Sequence, residues 1–542
     1  MKKVTPRKSV KAASRERDAI RKAASRAIVA LAGAYTGAAT GRRQTTQWIT
    51  RGGDPASDIL YDLPSLRNRS RDLIRNSPLA TGAIGTAISN VVGTGLKLQS
   101  RINRSILDLD DEQAEEWQDR TEAEFALWAE SKDCDKLRTL NFYEMQALVF
   151  RQTLENGDVF TLTPRIPERV PYSLCLQLVE GDQVCNEKGA SDSLTLSGGI
   201  EKDDNGAPSI YHIRKVHPGN SLAGNNREWV KISAYGQTGL KNVIHLFDVK
   251  RPGQPRGVPF LAPVIEPLKM LDKYMEAELM ATVVSAMLTV FIKSDSGNTD
   301  LAPMGPVAET QGKTTDEDYK LGSGAILSLA TGESIDTVDP KRPNQGFDDF
   351  VVAILRQIGS ALEIPFEILI KHFTSSYSAS RAALLEAWRF FKQRRAWLAR
   401  NFCQEVYRIW LYEAVALGRV SAPGFFNDPL LRKAYEGAVW IGDAPGQIDP
   451  VKETTAAEKR IELGLSTVDE ETVMVTGGDF ESNYPRIVKE IKMFKEAGMK
   501  HPAVEGAKPE PLNPDKKKEV EPDKEEPEKD KEDEEEKENE NT

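Results

Sequence analysis

Residues 264–292 read VIEPLKMLDKYMEAELMATVVSAMLTVFI. Val264, Leu268, Leu271, Met275, Leu279, Val283, Ala286 and Val290 recur at three- and four-residue steps, the apolar stripe of one long helix. Pro267 falls near its first turn, where a proline costs little. As a single helix the 29 residues would extend about 43 Å. A stripe of that length needs other helices to cover it.

On the N-terminal side lies a Pro/Gly hinge, Arg251-Pro252-Gly253-Gln254-Pro255-Arg256-Gly257-Val258-Pro259. Before it, from about Thr40 to Lys250, helix and strand patterns mix. Arg67–Asn90 has helical spacing with Pro78 starting a new turn, and Asp111–Ser131 is a charged helix with Trp117, Phe125 and Trp128 on one side. Short β-branched and aromatic runs follow at Asp158–Thr163, Ser173–Val179, Ser209–Val216, Trp229–Ala234 and Val243–Phe247, divided by Gly, Asn and Pro. This region predicts an α+β domain.

On the C-terminal side the pattern loosens into a loop-rich stretch, 294–344, with a candidate strand at Ala325–Leu329. A helix at Phe347–Leu362 ends before Ile364-Pro365. The longest helical pattern is Ser380–Leu417, with Ser380 as its cap and Gly418 as its stop. At 38 residues it predicts about 57 Å of helix, and two such stretches point to an elongated multi-helix assembly. Shorter helices are expected at Lys452–Gly464 and Tyr484–Ala497.

The chain has 542 residues, room for three or four folding units, and its 39% hydrophobic content is enough to give each a core. Net charge is -10, yet residues 1–26 carry ten basic and two acidic groups and residues 515–542 carry seven Lys against fifteen acids. The body between them is therefore acidic by about the same -10, which argues against a broad grip on nucleic acid, since that grip comes from Lys and Arg displacing counterions. The tail from 505 is expected to stay solvated and without fixed structure. The basic arm suits docking or solubility. Cys134, Cys175, Cys185 and Cys403 form no CxxC pair, so free thiols in a reducing setting are expected, with no structural zinc. Leu279–Ile292 is too short to span a bilayer, and Ala27–Tyr35 follows too long a leader to be a signal core.

Catalytic chemistry is not legible. Gly305–Thr314 ends in Gly-Lys-Thr, but six residues separate its glycines where a P-loop needs four. Gly93-Thr94-Gly95 is a turn. His212, His217, His245, His372 and His501 make no HExxH, and the first two sit beside strand patterns as structural histidines. The pairs Asp203-Asp204 and Asp348-Asp349 fall in turn-like contexts. No catalytic residue, cofactor or metal is expected, and the chain reads as a non-enzyme.

Six segments nevertheless stand in a recognisable order. They are Leu66–Asn76 (LRNRSRDLIRN) leading to Val92-Gly93-Thr94-Gly95; Glu155-Asn156-Gly157-Asp158-Val159-Phe160; Leu176–Asp182 (LQLVEGD); the hinge ending Arg256-Gly257-Val258-Pro259; Tyr377-Ser378-Ala379-Ser380-Arg381-Ala382-Ala383; and Trp440-Ile441-Gly442 with Ile448–Glu453. Together they resemble the lambda-type portal proteins of tailed bacteriophages, over about Tyr35 to Glu490.

That resemblance implies the portal fold: a mixed wing, a helical stem, a small clip of loop and strand, and a helical crown, assembled as a ring of twelve. By order along the chain it implies an arm at 1–39, a wing at 40–257, a first stem helix at 258–293 and a clip at 294–346. A second stem helix and channel loop would take 347–378, the long wing helix 379–418, the crown 419–504 and the acidic tail 505–542. It further implies a DNA channel at one capsid vertex that docks terminase for packaging and head-tail adaptor proteins afterwards, beside major capsid and scaffold proteins. Location would be the virion, after assembly in host cytoplasm, with no membrane. Lys269, Lys273, Lys371, His372, Ser375 and Ser376 are the channel candidates, and Leu271, Met275, Leu279 and Val283 the subunit-packing candidates. The competing readings are a nucleotide-driven packaging motor and a DNA-binding regulator acting through the basic arm.

Overall fold

The computed structural model describes residues 17–22, 38, 43–50, 52–221, 228–286, 290–294, 333–337, 346–373, 376–446, 449–478 and 480–499. The chain divides into two compact units, 1–450 and 451–542. The acidic tail, most of the basic arm, most of the clip stretch including its expected strand at 325–329, Ala27–Tyr35, Gly305–Thr314, Ser375 and His501 lie outside the described residues.

The first unit begins with α1 (Pro55–Leu60), α2 (Leu63–Asn76) and α3 (Pro78–Val91). Ser77 divides the last two because the residue before a proline is pushed to extended backbone, and its ψ is 117°. Then come β1 (Lys97–Ser100), α4 (Arg104–Leu107), α5 (Asp111–Glu130) and α6 (Phe142–Asn156). Capping boxes start α5 (Asp110 with Gln113) and α6 (Asn141 with Glu144). Helix α6 was not anticipated: Phe142, Met145, Val149, Phe150 and Leu154 are buried along one half of the helix, but the polar Gln146, Thr153 and Asn156 are buried among them and dilute the apolar stripe.

The strands are β2 (Asp158–Leu162), β3 (Gln177–Glu180), β4 (Leu196–Ser197), β5 (Ile200–Lys202), β6 (Pro208–Arg214), β7 (Trp229–Ser233) and β8 (Val243–Phe247). They form two antiparallel sheets, ordered β3-β2-β8 and β4-β5-β6-β7. Between them Phe160, Leu162, Val179, Ile200, Tyr211, Ile213 and Val243 make a small core. The α+β expectation holds.

Helix α7 (Ile265–Ala286) lies where one long helix is expected, but it has 22 residues, about 33 Å. The sequence reading carried it to Ile292; instead Val290–Ser294 is strand β9, paired antiparallel with β10 (Glu333–Thr337) from Val290↔Thr337 to Ser294↔Glu333. Val290, Phe291 and Ile292 satisfy the helical period and strand propensity equally, and a partner strand decides between them. Next come α8 (Phe347–Ala361) and α9 (Phe366–Leu369), and then α10 (Tyr377–Leu398), joined by a π turn at Ala399–Cys403 to α11 (Gln404–Ala416). Ser376, not Ser380, holds the N-cap position, and Ser380 N–H already donates to Ser376 O at 2.9 Å within the first turn. Gly418 ends the helix at φ 69°.

The first unit closes with α12 (Pro429–Tyr435) and β11 (Ala438–Ile441). Strand β11 pairs with β1, so residues around 440 fold with the first unit, and the second unit starts at Val451 inside the stretch expected as crown. The main core joins helices from α2 to α11 around Phe125, Phe142, Phe402, Tyr407 and Trp410. The second unit holds α13 (Pro450–Glu462), α14 (Val468–Thr476) and α15 (Phe480–Glu496), with Arg460 of α13 fork-bonded to Glu471 of α14 at 2.7 and 2.6 Å.

Candidate functional site

Four of the six recognised segments converge on one buried carboxylate. Asp158, the first residue of β2, is fully buried, with side-chain exposure of 0%. Arg67 of α2 donates through Nη2 to its Oδ1 at 2.6 Å and through Nε to Asn156 O at 2.9 Å. Arg256 of the hinge donates Nε to Oδ2 at 2.6 Å and Nη2 to Oδ1 at 3.2 Å, and Gly257 N–H adds a bond at 3.3 Å. The other Arg256 protons go to the carbonyls of Gly181, Gly198 and Val184 at 2.6, 2.7 and 2.8 Å. Arg71, one turn beyond Arg67, bonds Asn156 Oδ1 at 2.7 Å and pairs with Asp182.

Burial alone would push the Asp158 carboxyl up, but the guanidinium groups of Arg256 and Arg67 outweigh it and hold it well below the usual carboxylate range. The charges are buried, paired and hydrogen-bonded, the one condition under which a dry interior tolerates them. The cluster ties α2, β2, the turn after β3 and the hinge into one joint, about eight residues before α7 begins.

Glycines make the approach possible. A Cβ on Gly257 would collide with Gly157 O; one on Gly157 would lie 2.6 Å from Gly257 C, and Gly157 also needs φ 89°. Gly257→Ala is therefore expected to lower stability by about 1–3 kcal/mol, read as a lower urea midpoint with an unchanged slope.

His245 of β8 stacks between Phe160 at 4.1 Å and Phe247 at 4.3 Å, with Nε2 3.5 Å from Asp158 Oδ2. Burial pulls its basicity below the ordinary histidine value, against the pull of Asp158. The folded protein thus keeps the imidazole neutral where the unfolded chain takes a proton, at about pH 6.5 and below. Its contribution is complete above that pH and is lost as pH falls toward the lower folded value. His245→Gln is expected to flatten the slope of stability against pH just below 6.5, as measured by urea unfolding between pH 5 and 7.

A second junction uses the remaining first-segment residues. Asp443 accepts from Thr94 N–H at 2.8 Å and Thr94 Oγ1 at 2.7 Å, while Arg395 of α10 donates to the carbonyls of Val91 and Asn90, both at 2.9 Å, at the end of α3.

The surface with an unmet demand is on α7. Its stripe starts inside the chain's own core, with Val264, Leu268 and Leu271 buried, and then runs out of cover: Met275, Leu279 and Val283 are 45, 65 and 43% exposed. Tyr274, stacked on Phe347 at 5.5 Å and edge-on to Phe350 at 5.2 Å, marks the side that meets α8. Lys269 and Lys273 are exposed about 120–160° around the helix from Met275, and Lys269 Nζ lies 3.9 Å from Asp72.

The family model described as phage portal protein, lambda family, matches residues 41–395. The chain belongs to the lambda family of phage portal proteins. It is 26% identical to portal protein B of Escherichia phage lambda over 463 residues, 80% of this chain and 85% of that protein. It is 27% identical to the portal protein of Escherichia phage N15, covering 84% of this chain and 89% of that one. A chain from the virion of a native gene transfer agent particle aligns with TM-score 0.40 and 14% identity, over 82% of this chain and 97% of that one. The motor and regulator readings are not favoured by this match.

In this portal chain the packing candidates divide: Leu271 is spent on the chain's own core, leaving Met275, Leu279 and Val283 on the surface. Of the channel candidates, Lys371 sits after α9 in left-handed backbone at φ 56° and is exposed, as is His372, whose N–H donates to Glu367 O at 3.0 Å. Ser376 is exposed at the N-cap of α10. Among the described residues, Lys371, His372 and Ser376 share no hydrogen bond or ion pair with Lys269 or Lys273. Glu180, Asp182 and His217 cluster closely enough to suggest a cation, but Arg71 already lies against both carboxylates, so the group is part of the ion cluster. The sequence segments holding Arg67, Asp158 and Arg256 were recognised without a role for these residues; the available signal was a charge beside glycine and apolar residues at Asp158 and Arg256, whereas Arg67 is one of four arginines in a polar helix and carries no such signal.

Proposed function

We propose that twelve copies of this portal chain close into a ring whose hole conducts double-stranded DNA without sequence preference, into the capsid during packaging and out at ejection. The observation that carries the reading is α7: one helix offers an uncovered apolar stripe on one side and lysines on another. A closed ring needs such division, because each subunit must present two different complementary faces and still turn a side to the hole. Met275, Leu279 and Val283 would meet a neighbour; Lys269, Lys273, Lys371, His372, Ser375 and Ser376 would face the hole.

DNA carries a charge about every 1.7 Å, so the about 33 Å of α7 would surround roughly 20 phosphates. A continuous basic wall would form many ion pairs to be broken at each advance. The net -10 of the chain, with a few lysines, lets the duplex be centred and slide. The proposed partners are the terminase large subunit, major capsid and scaffold proteins and head-tail adaptor proteins, met first in host cytoplasm and then at the capsid vertex.

The test is a packaging reaction with capsids assembled with and without this chain, supplied with linear duplex and the packaging motor. DNA resistant to nuclease is expected only when the chain is present. Equal protection without it would remove the conduit role.

A further inference from the structure

Helix α10 carries Arg381, Arg389, Lys392, Arg394 and Arg395 against Glu386 alone, the largest basic excess of any described helix in a chain whose net charge is -10. Two of these residues are turned inward: Arg394 bonds Asp248 at 3.0 Å and Arg395 donates to the carbonyls at the end of α3. With Phe390, Phe391 and Leu398 buried, they mark the inner face of the helix. On the opposite side Arg381, Leu385, Arg389, Lys392 and Ala396 follow at three- and four-residue steps, and Arg400 in the π turn continues the row. The row keeps within an arc of about 100° and runs about 28 Å. Arg389, Lys392 and Arg400 are exposed and Arg381 is partly so. Among the described residues Arg381, Lys392 and Arg400 make no side-chain hydrogen bond or ion pair, and Arg389 meets only Glu386, at 3.0 Å. The other basic helices lack such a face. Helix α15 interleaves Arg486, Lys489, Lys492 and Lys495 with Glu481, Glu490 and Glu496, and α2 spends Arg67 and Arg71 on the ion cluster.

We propose that this face of α10 is a phosphate-binding surface for duplex DNA, separate from the lysines of α7 and from the loop at 371–376. The inference takes DNA as the cargo from the reading above and adds a place where the duplex is held. Along about 28 Å a duplex presents roughly 16 phosphates, and Arg and Lys bind them by releasing counterions, whatever the base sequence. The guanidinium forks can take two phosphate oxygens at once. An acidic protein is the poorer fit: Leu385 is the one large apolar side chain on the row, and a protein contact needs a buried apolar centre.

The experiment measures binding of a labelled linear duplex to the full-length chain by fluorescence anisotropy, between about 50 and 200 mM salt. The triple variant Arg389→Gln, Lys392→Gln, Arg400→Gln is expected to bind on the order of tenfold more weakly at the low end. Its slope of log affinity against log salt should be shallower by about 2.7, about 0.9 for each lost cation. The α15 triple Arg486→Gln, Lys489→Gln, Lys492→Gln changes the net charge equally and should keep the original slope. All six side chains are exposed, so both proteins should keep the urea midpoint. An α10 triple with the original slope would overturn the proposal, as would an equal change in the α15 triple. So would displacement of the duplex by polyglutamate as effective as by unlabelled duplex of equal charge, which would make the face a site for acidic protein. An unaltered chain that binds duplex through α10 yet gives no nuclease protection in the packaging reaction would instead remove the conduit reading.

Discussion

Asp158→Asn is expected to destabilise the first unit by about 3–5 kcal/mol, the largest stability effect of any single substitution outside the apolar core. Asparagine keeps the volume and removes the charge, which leaves Arg67 and Arg256, 4 and 3% exposed, without their shared anion. Arg256 would then be a buried cation held by carbonyls, and Arg67 would keep only Asn156 O and the more distant Asp182 carboxylate at 3.9 Å. The loss should appear as a large fall in urea midpoint at neutral pH. Acid should mimic it: the folded carboxyl is held below its ordinary value, so its contribution is full above about pH 4 and disappears as pH falls through the lower folded value. Arg67→Leu added to Asp158→Asn should recover part of the loss, because removing a buried cation costs less than stranding it. An Asp158→Asn protein that unfolds within about 0.5 kcal/mol of the original would show that the cluster is not the joint described.

The second large effect concerns association. Leu279→Asp is expected to abolish rings while leaving the subunit folded. Leu279 is 65% exposed in the subunit, so a carboxylate there stays hydrated and the urea midpoint should barely move. Packed against a neighbour it becomes an unpaired buried charge costing several kcal/mol, which weakens each contact more than 100-fold. Val283→Asp should behave alike. Leu271→Asp should not: Leu271 is fully buried in its own chain, and its loss of rings would come with loss of fold. Leu279→Asp protein that assembles normally would move the subunit contact off this face of α7.

Much of the architecture could be read from local pattern. The helices at 63–91, 111–130 and 347–361 and the strands at 158–162, 208–214, 229–233 and 243–247 announce themselves through period, proline and glycine placement. Four features stayed hidden. Helix α6 buries the polar Gln146, Thr153 and Asn156 along with its apolar residues, which blurs its stripe. Strands β1 and β11, four residues each, have partners far away in the chain, so neither carries enough period to be seen. The end of α7 was ambiguous until β10 supplied a partner for Val290–Ser294. The ion cluster is the sharpest case. Arg67 and Arg256 lie 91 and 98 residues from Asp158, so their recognised segments could be quoted one by one, but only folding reveals that they are pieces of a single joint.

Native mass spectrometry of the purified, unaltered chain, paired with a negatively stained image, bears most directly on the ring. Twelve copies around an open centre wide enough for a DNA duplex are the outcome required. A chain that stays single under every assembly condition, or a collar too narrow for the duplex, would contradict it.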